Sequence, residues 1–192
     1  IRAEDYSITD AFRYSIFQVI SILTTTGYAS VDFNLWPDSP RFILFVLMFI
    51  GGCAGSTSGG VKVVRLLLLL KYTQKVLHNV IHPKAVIPIR FNNKKVPDEI
   101  IRSIVSFMVI YILIFAASST LLSMLGMDFI TTLSASIATL GNVGPGLGLV
   151  GPMESFDNIP DPGKVILIAN MWIGRLEVFT VIVMLTPEFW RK

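Results

Sequence analysis

The sequence predicts an all-α membrane protein built from a repeated unit: a helix, a short re-entrant helix, an extended Gly-containing loop and a second helix. Three observations carry this prediction. Several stretches long enough to cross a bilayer hold almost no charge. Short apolar runs between them end in Thr, Gly, Asn and Pro. The second half of the chain also repeats the order of elements in the first.

The long stretches come first. The chain has 192 residues, 53% hydrophobic and 15% charged, against about 45–50% and about 25% in an average soluble domain. The apolar excess is concentrated. Phe42 to Val61 and Ser103 to Met127 contain no charged side chain, and Val165 to Pro187 contains only Arg175 and Glu177. A helix needs about 20 apolar residues to cross a hydrocarbon core about 30 Å thick, and each stretch is long enough. Cys53 is the single cysteine, which excludes an intrachain disulfide. The lead-in "IRAEDYSITDAFRYS" is polar and of mixed charge. It does not read as a signal peptide, and suggests a chain that begins partway through a larger protein.

Charge sets the orientation. Between Lys62 and Lys95 there are eight Lys or Arg and no Asp or Glu. The positive-inside rule therefore places loop 62–98 in the cytoplasm. The Thr-rich stretch and "GNVGPGLGLVGPMESFDNIPDPG", with Glu154, Asp157 and Asp161, then face outward. The C-terminus "TPEFWRK" returns inside with Arg191 and Lys192. The basic linker reads as a solvated loop beside anionic lipid, with docking of a cytoplasmic partner as an added role. No cofactor and no nucleic-acid partner are expected.

The repeat is seen by shifting the chain 117 residues, which lays 11–30 over 128–147. Phe12 then meets Phe129, Ile20 meets Ile137, Leu23 meets Leu140 and Gly27 meets Gly144. Beyond the outer loop a shift of 123 lays 41–51 over 164–174. The expected organisation is a first unit over 1–81, with a short helix 9–23, a ribbon 24–28 and a broken helix 40–81. A linker follows at 82–98. A second unit over 99–192 has helices 99–126 and 128–140, a ribbon 141–146 and a last helix 163–187. The first unit lacks the helix that precedes the second, consistent with truncation before Ile1. An apolar run of about a dozen residues cannot span a bilayer and suits a re-entrant segment. Non-helical backbone at membrane depth is tolerated only against protein or a water-filled path. This is the architecture of a cation pore.

The chemistry of "TTTGY" fits that role. A pore that takes a dehydrated potassium ion must replace its water with oxygens, and rings of backbone carbonyls do so. Turning successive carbonyls to one side asks for backbone angles that glycine adopts without strain. Thr24, Thr25 and Thr26 add hydroxyl oxygens, and Tyr28 is placed to brace the ribbon from behind. The candidate filter is Thr25, Thr26, Gly27 and Tyr28, with Asn142, Val143, Gly144 and Pro145 in the second unit. The competing reading is a tight turn with a glycine cap, and "GNVGPG" alone would be a turn; its filter role rests on the repeat.

"FIGGCAGSTSGGVKVVR" interrupts the next helix. Five glycines in ten residues, each costing about 1 kcal/mol of helix stability, make a continuous helix unfavourable. Close packing of a Gly51, Gly55, Gly59 row is one alternative. A phosphate loop is another, and it fails because Val61 follows Gly60 where Lys and then Ser or Thr are required. The functional reading is a movable pore loop of Gly51, Gly52, Gly55, Ser56, Thr57, Ser58, Gly59 and Gly60. A charge at membrane depth marks a functional site, and Arg175 lies near the middle of the last apolar stretch, level with Gly52 in the repeat. It is expected to point into the central path, repelling cations or holding the loop through its carbonyls. Glu177, two positions on, lies on another helix face. The alternative pairs Arg175 with an acid from the absent half. Two rival functions are a membrane anchor or assembly subunit and an intramembrane serine enzyme using "GSTSGG". The second needs an activating partner within hydrogen-bond reach, and the only histidines, His78 and His82, fall in the basic linker.

"TTTGYASVDFNLWP", "IGGCAGSTSGGVKVVRLLLL", "ATLGNVGPGLG" and "IANMWIGRLEVFTVIVMLTPEFWR" together resemble the Trk/Ktr/HKT superfamily of potassium transporters, most closely its bacterial Trk-type pore subunits. The resemblance implies four helix–pore-helix–helix repeats around a pseudo-fourfold pore. This chain would hold most of the third repeat and all of the fourth. It implies filter glycines at Gly27 and Gly144, an intramembrane loop at about Gly51–Gly60 and the last repeat's arginine at Arg175. It also implies potassium as substrate, a bacterial inner-membrane location and a homodimer. A cytoplasmic ring of nucleotide-binding regulatory subunits would meet Lys62–Lys95. The first two repeats are absent, so this chain alone would not enclose a pore.

Overall fold

Helix boundaries follow proline, acidic and glycine positions along the chain. The computed structural model describes residues 7–85 and 87–176. Helix α1 (Ile8–Leu23) carries Asp10 in its first turn, where a negative charge complements the helix dipole. Helix α2 (Asp38–Ile50) follows Pro37, with Pro40 in its first turn, where a missing N–H leaves no bond unmade. It stops at Gly51, and helix α3 (Val63–Ile81) starts only after Lys62. Helix α4 (Asp98–Met124) opens on Asp98 and Glu99 after Pro97. Helix α5 (Phe129–Leu140) is capped by Asp128, whose carboxylate accepts from Thr131 N–H at 3.1 Å. Helix α6 (Asp161–Arg175) follows Pro160. The last helix expected to run to residue 187, Glu177, Arg191, Lys192 and the first six residues lie outside the described residues.

Helix α4 is the one helix among the described residues long and apolar enough to cross a membrane. Its mean hydropathy is 2.4 over an 18-residue window, of which 22% is buried. A soluble core helix of that composition would be mostly covered. The outward Val109, Ile112, Leu113 and Leu121 therefore call for an apolar surrounding.

Helix α5 lies at the centre, packed against α2, α4 and α6, and nine of its residues are buried. Helix α1, its counterpart in the sequence repeat, packs on α2 and buries only Gln18, Ser21 and Ile22. The difference has a plain cause: α5 has α4 in front of it, and no described helix stands before α1. The main core joins the two halves, with Ile22, Leu44 and Met48 from the first meeting Ile137, Leu140 and Val143 from the second.

The basic linker departs from the solvated loop expected of it. Strands β1 (Arg90–Phe91) and β2 (Lys94–Lys95) form an antiparallel hairpin. Asn92 and Asn93 turn it with φ of 48° and 61°, the left-handed pair that a two-residue hairpin turn requires. Ile89 is buried with Leu68, Ile101 and Ile104, and Lys71 Nζ donates to Arg90 O at 2.8 Å. Apolar Ile89, placed before the turn, anchors the linker in a small core shared with α3 and α4.

Candidate functional site

The two short helices end in one backbone figure. At the end of α1, Thr24, Thr25 and Thr26 N–H donate to Ile20, Ile22 and Ser21 O at 2.9, 3.0 and 2.9 Å, and Gly27 N–H to Ser21 O at 3.5 Å. At the end of α5, the residues 117 positions on do the same. Gly141, Asn142 and Val143 N–H donate to Ile137, Thr139 and Ala138 O at 2.8, 3.1 and 2.8 Å, and Gly144 N–H to Ala138 O at 3.5 Å. The angles repeat as well: φ is 55° at Thr25 and 52° at Asn142, then 78° at Gly27 and 106° at Gly144.

This figure separates the helix cap from the glycine. The left-handed residue that closes each helix is Thr25 or Asn142, with the crossed pair of bonds that usually selects glycine. Gly27 lies beyond the cap and answers a different demand. A Cβ on Gly27 would overlap Val143 O, with Pro145 Cδ 3.2 Å away, and one on Gly144 would lie 3.9 Å from Gly27 Cα. The ribbons at 24–28 and 141–146 thus lie against each other at Gly27, Val143, Gly144 and Pro145. The C-terminal end of a helix carries about half a negative charge, and both short helices present that end to the paired ribbons.

The ribbons are held from behind by serines. Ser21 Oγ donates to Tyr28 O at 2.6 Å. Ser134 Oγ donates to Leu147 O at 2.8 Å and accepts from Leu147 N–H at 3.0 Å. Tyr28 is 72% exposed among the described residues. The ribbon's packed side is taken by the second ribbon, leaving the ring on the open face with Phe12, Ile16 and Ile20. The threonine hydroxyls are also engaged locally. Thr24 Oγ1 donates to Ile20 O at 2.7 Å and lies 2.8 Å from Thr26 Oγ1. Thr25 Oγ1 accepts from Gly59 N–H at 3.2 Å.

That last bond reaches the Gly-rich segment, which is an excursion with a closed neck. Val61 N–H donates to Phe49 O at 3.0 Å and Val63 N–H to Gly52 O at 3.1 Å, so α2 and α3 are joined below the loop. The segment is not helical, which removes the alternative of a small-residue helix-packing row. Ser56 Oγ donates to Cys53 O at 2.6 Å, Gly52 N–H donates to Ser58 Oγ at 3.1 Å, and the two hydroxyls lie 2.6 Å apart. These serines brace the loop. Gly59 abuts Gly141 O, so the loop sits against both ribbons, whereas Gly55 faces open space. Arg175, the last residue of α6, donates from Nη1 to Thr57 O at 2.8 Å.

Several participants have no signal in the reading of the sequence. A cavity of about 210 Å³ beside the loop is lined by Lys62, Arg65, Tyr111 and Arg175 together with Ser56, Thr57 and Ser58. The Arg65 guanidinium lies 4.3 Å over the Phe107 ring. The charged side chains among these described lining residues are Lys62, Arg65 and Arg175. Lys62 and Arg65 follow the glycines immediately, and the spacing of a helix turn from Gly60 was the cue available. Asn34 was another silent position. Its Nδ2 donates to Gly148 O and its Oδ1 accepts from Gly148 N–H, at 2.8 and 2.9 Å.

The fold is that of a helical transport protein. It superposes on the crystal structure of the potassium transporter TrkH from Vibrio parahaemolyticus with a TM-score of 0.89 and 41% identity, covering 98% of this chain and 40% of that one. The sequence profile of the TrkH cation transport protein family matches residues 3–192, and the chain belongs to that family. It is 42% identical over 188 residues to the Trk system potassium uptake protein TrkH of Halomonas elongata, covering 98% of this chain and 39% of that protein. It is 42% identical over 178 residues to the protein of the same name from Escherichia coli K12, covering 93% and 36%. The chain thus spans about two fifths of the length of the relatives it matches.

Proposed function

We propose that this chain supplies two of the repeated units of a potassium-conducting pore in a bacterial inner membrane. The observation that carries the reading is the contact of two backbone-equivalent ribbons at Gly27 and Gly144, each at the negative end of a short helix. In this reading Thr25, Thr26, Gly27 and Tyr28, with Asn142, Val143, Gly144 and Pro145, present main-chain oxygens to a shared axis, and potassium exchanges its hydration shell for them. The remaining units come from the part of the polypeptide that the relatives carry and this chain does not. The names of the matched proteins, potassium uptake and potassium transporter, agree with that substrate.

The loop Gly51–Gly60 is the gate, under the ribbons and closed at its neck so that it moves as one piece. Arg175 holds it through Thr57 O and opposes a passing cation while the loop stands in place. The basic stretch 62–98 faces the cytoplasm, where its hairpin offers Arg90, Lys94 and Lys95 to a nucleotide-binding regulatory subunit. The assembly is a homodimer. No catalytic chemistry is assigned: the hydroxyls of Ser56 and Ser58 are spent on the loop itself.

The test is flux. The full-length parent reconstituted in liposomes should pass potassium in preference to sodium. A well-folded parent that passes neither would favour an anchoring role.

A further inference from the structure

Thr25 stands where the first ribbon meets the loop. We infer that it is the positioning residue through which the loop's place is transmitted to the ribbon, an inference that rests on the pore reading above. A β-branched residue in the left-handed region is a genuine outlier, costly unless its surroundings hold it there. Thr25, at φ 55°, is held through its side chain by Gly59 N–H, 34 positions along the chain. Its counterpart Asn142 is left-handed too, but its Nδ2 donates to Met171 O at 3.2 Å, which belongs to α6. One ribbon is therefore tethered to a helix and the other to an excursion with a hinged neck. The two units share a backbone figure and differ in what secures it.

The consequence is directional. When the loop swings away, Asn142 keeps its partner, whereas Thr25 keeps the crossed backbone bonds of the cap and loses the side-chain bond that supports them. The strained Thr25 is then less firmly held, and the carbonyls at Thr25 and Thr26 loosen with it. Opening the loop and loosening the first ribbon are one event, so ion discrimination weakens on the first unit's side as the loop leaves.

The experiment uses the full-length parent in liposomes, with Cys53, exposed in the loop, as its sole cysteine. Maleimide labelling of Cys53 reports loop release, and the potassium-to-sodium flux ratio reports the ribbon. Thr25→Val keeps the side-chain shape and removes the acceptor; Thr25→Ser keeps the acceptor. One net hydrogen bond corresponds to roughly two- to tenfold. Thr25→Val should accelerate labelling and lower the flux ratio by a factor in that range, with Thr25→Ser within about twofold of the parent. In an Arg175→Ala background, where the loop is already released, Thr25→Val should add little. Labelling at the parent's rate in Thr25→Val, faster labelling with an unchanged flux ratio, equal loss in Thr25→Ser, or full additivity with Arg175→Ala would each overturn the coupling. Absence of potassium flux from the unsubstituted parent would instead overturn the pore reading, and the coupling with it.

Discussion

Asn34 and Gly148 hold each other through both halves of an amide, 114 positions apart in the chain. The pair ties the loop after the first ribbon to the loop after the second. Neither ribbon can shift outward alone while both bonds stand.

Asn34→Ala leaves Gly148 N–H without its acceptor and removes one of the two donors to Gly148 O, which keeps Gly151 N–H at 3.1 Å. A half-buried backbone group left unpaired costs about 1–3 kcal/mol. The expected result is a lower unfolding midpoint in detergent, with Asn34→Asp, which keeps only the acceptor, falling between. Thermal unfolding of the three proteins side by side checks the order.

Gly27 and Gly55 make an internal control, since φ is 78° at one and 79° at the other. An L-residue in that region costs about 1–2 kcal/mol at either place. Only at Gly27 does the added Cβ also meet a backbone oxygen, that of Val143. Gly27→Ala is therefore expected to lower potassium flux by about tenfold or more, because the overlap with Val143 O must push the two ribbons apart, whereas the strain common to both sites need not touch the ribbons. Gly55→Ala should leave flux within a few-fold of the parent. Equal losses would mean that backbone strain, and not the meeting of the ribbons, sets the requirement.

Arg175→Ala removes the bond to Thr57 O. A charge-assisted hydrogen bond is worth about 1.5–3 kcal/mol when buried and less when exposed, as here. The loop should leave its seat more often and flux should rise several-fold, with Arg175→Lys intermediate. Unchanged conductance and gating would end the role of Arg175 at the gate.

Asp128 gives a pH signature outside the spanning segments. Burial alone would raise its pKa, but hydrogen bonds from the Thr131 side chain and backbone outweigh this and hold the carboxyl below its ordinary value. A depressed folded-state pKa contributes stability that is present above the unfolded pKa, about 4, and is lost as pH falls through the folded value. Asp128→Asn keeps a capping oxygen and loses only the charge, so it should be less stable than the parent at neutral pH by about 0.3–1 kcal/mol. The two should converge below pH 4. Denaturation midpoints measured from pH 3 to 7 test the convergence.

How much could be read from the chain depends on the kind of cause. Helix ends have local causes, in proline, Asp and glycine, as at Pro97–Asp98, Asp128 and Gly51. The pairing of ribbons was legible only through the repeat, since Gly27 and Gly144 share a register although their surroundings share little identity. The Asn34–Gly148 clamp was not, because an asparagine in a polar loop looks the same whether it meets water or a backbone 114 residues away. The surroundings of Tyr28 are not legible in the sequence for a related reason. Which side of a ribbon is packed depends on the neighbouring unit, and that neighbour is chosen by tertiary contact. The linker's hairpin is not legible in its basic charge, because the turn is made by Asn92 and Asn93, the consecutive left-handed residues that a tight hairpin needs.

The claim on which the rest depends is that the ribbons at Gly27 and Gly144 share one ion. The most direct measurement is an anomalous difference map from crystals of the full-length parent grown with thallium in place of potassium. The expected result is a peak between the two ribbons, within coordination distance of main-chain oxygens at 25–27 and 142–144, that weakens as potassium is restored. Thallium bound elsewhere, with nothing between the ribbons in a map that resolves both, would contradict it.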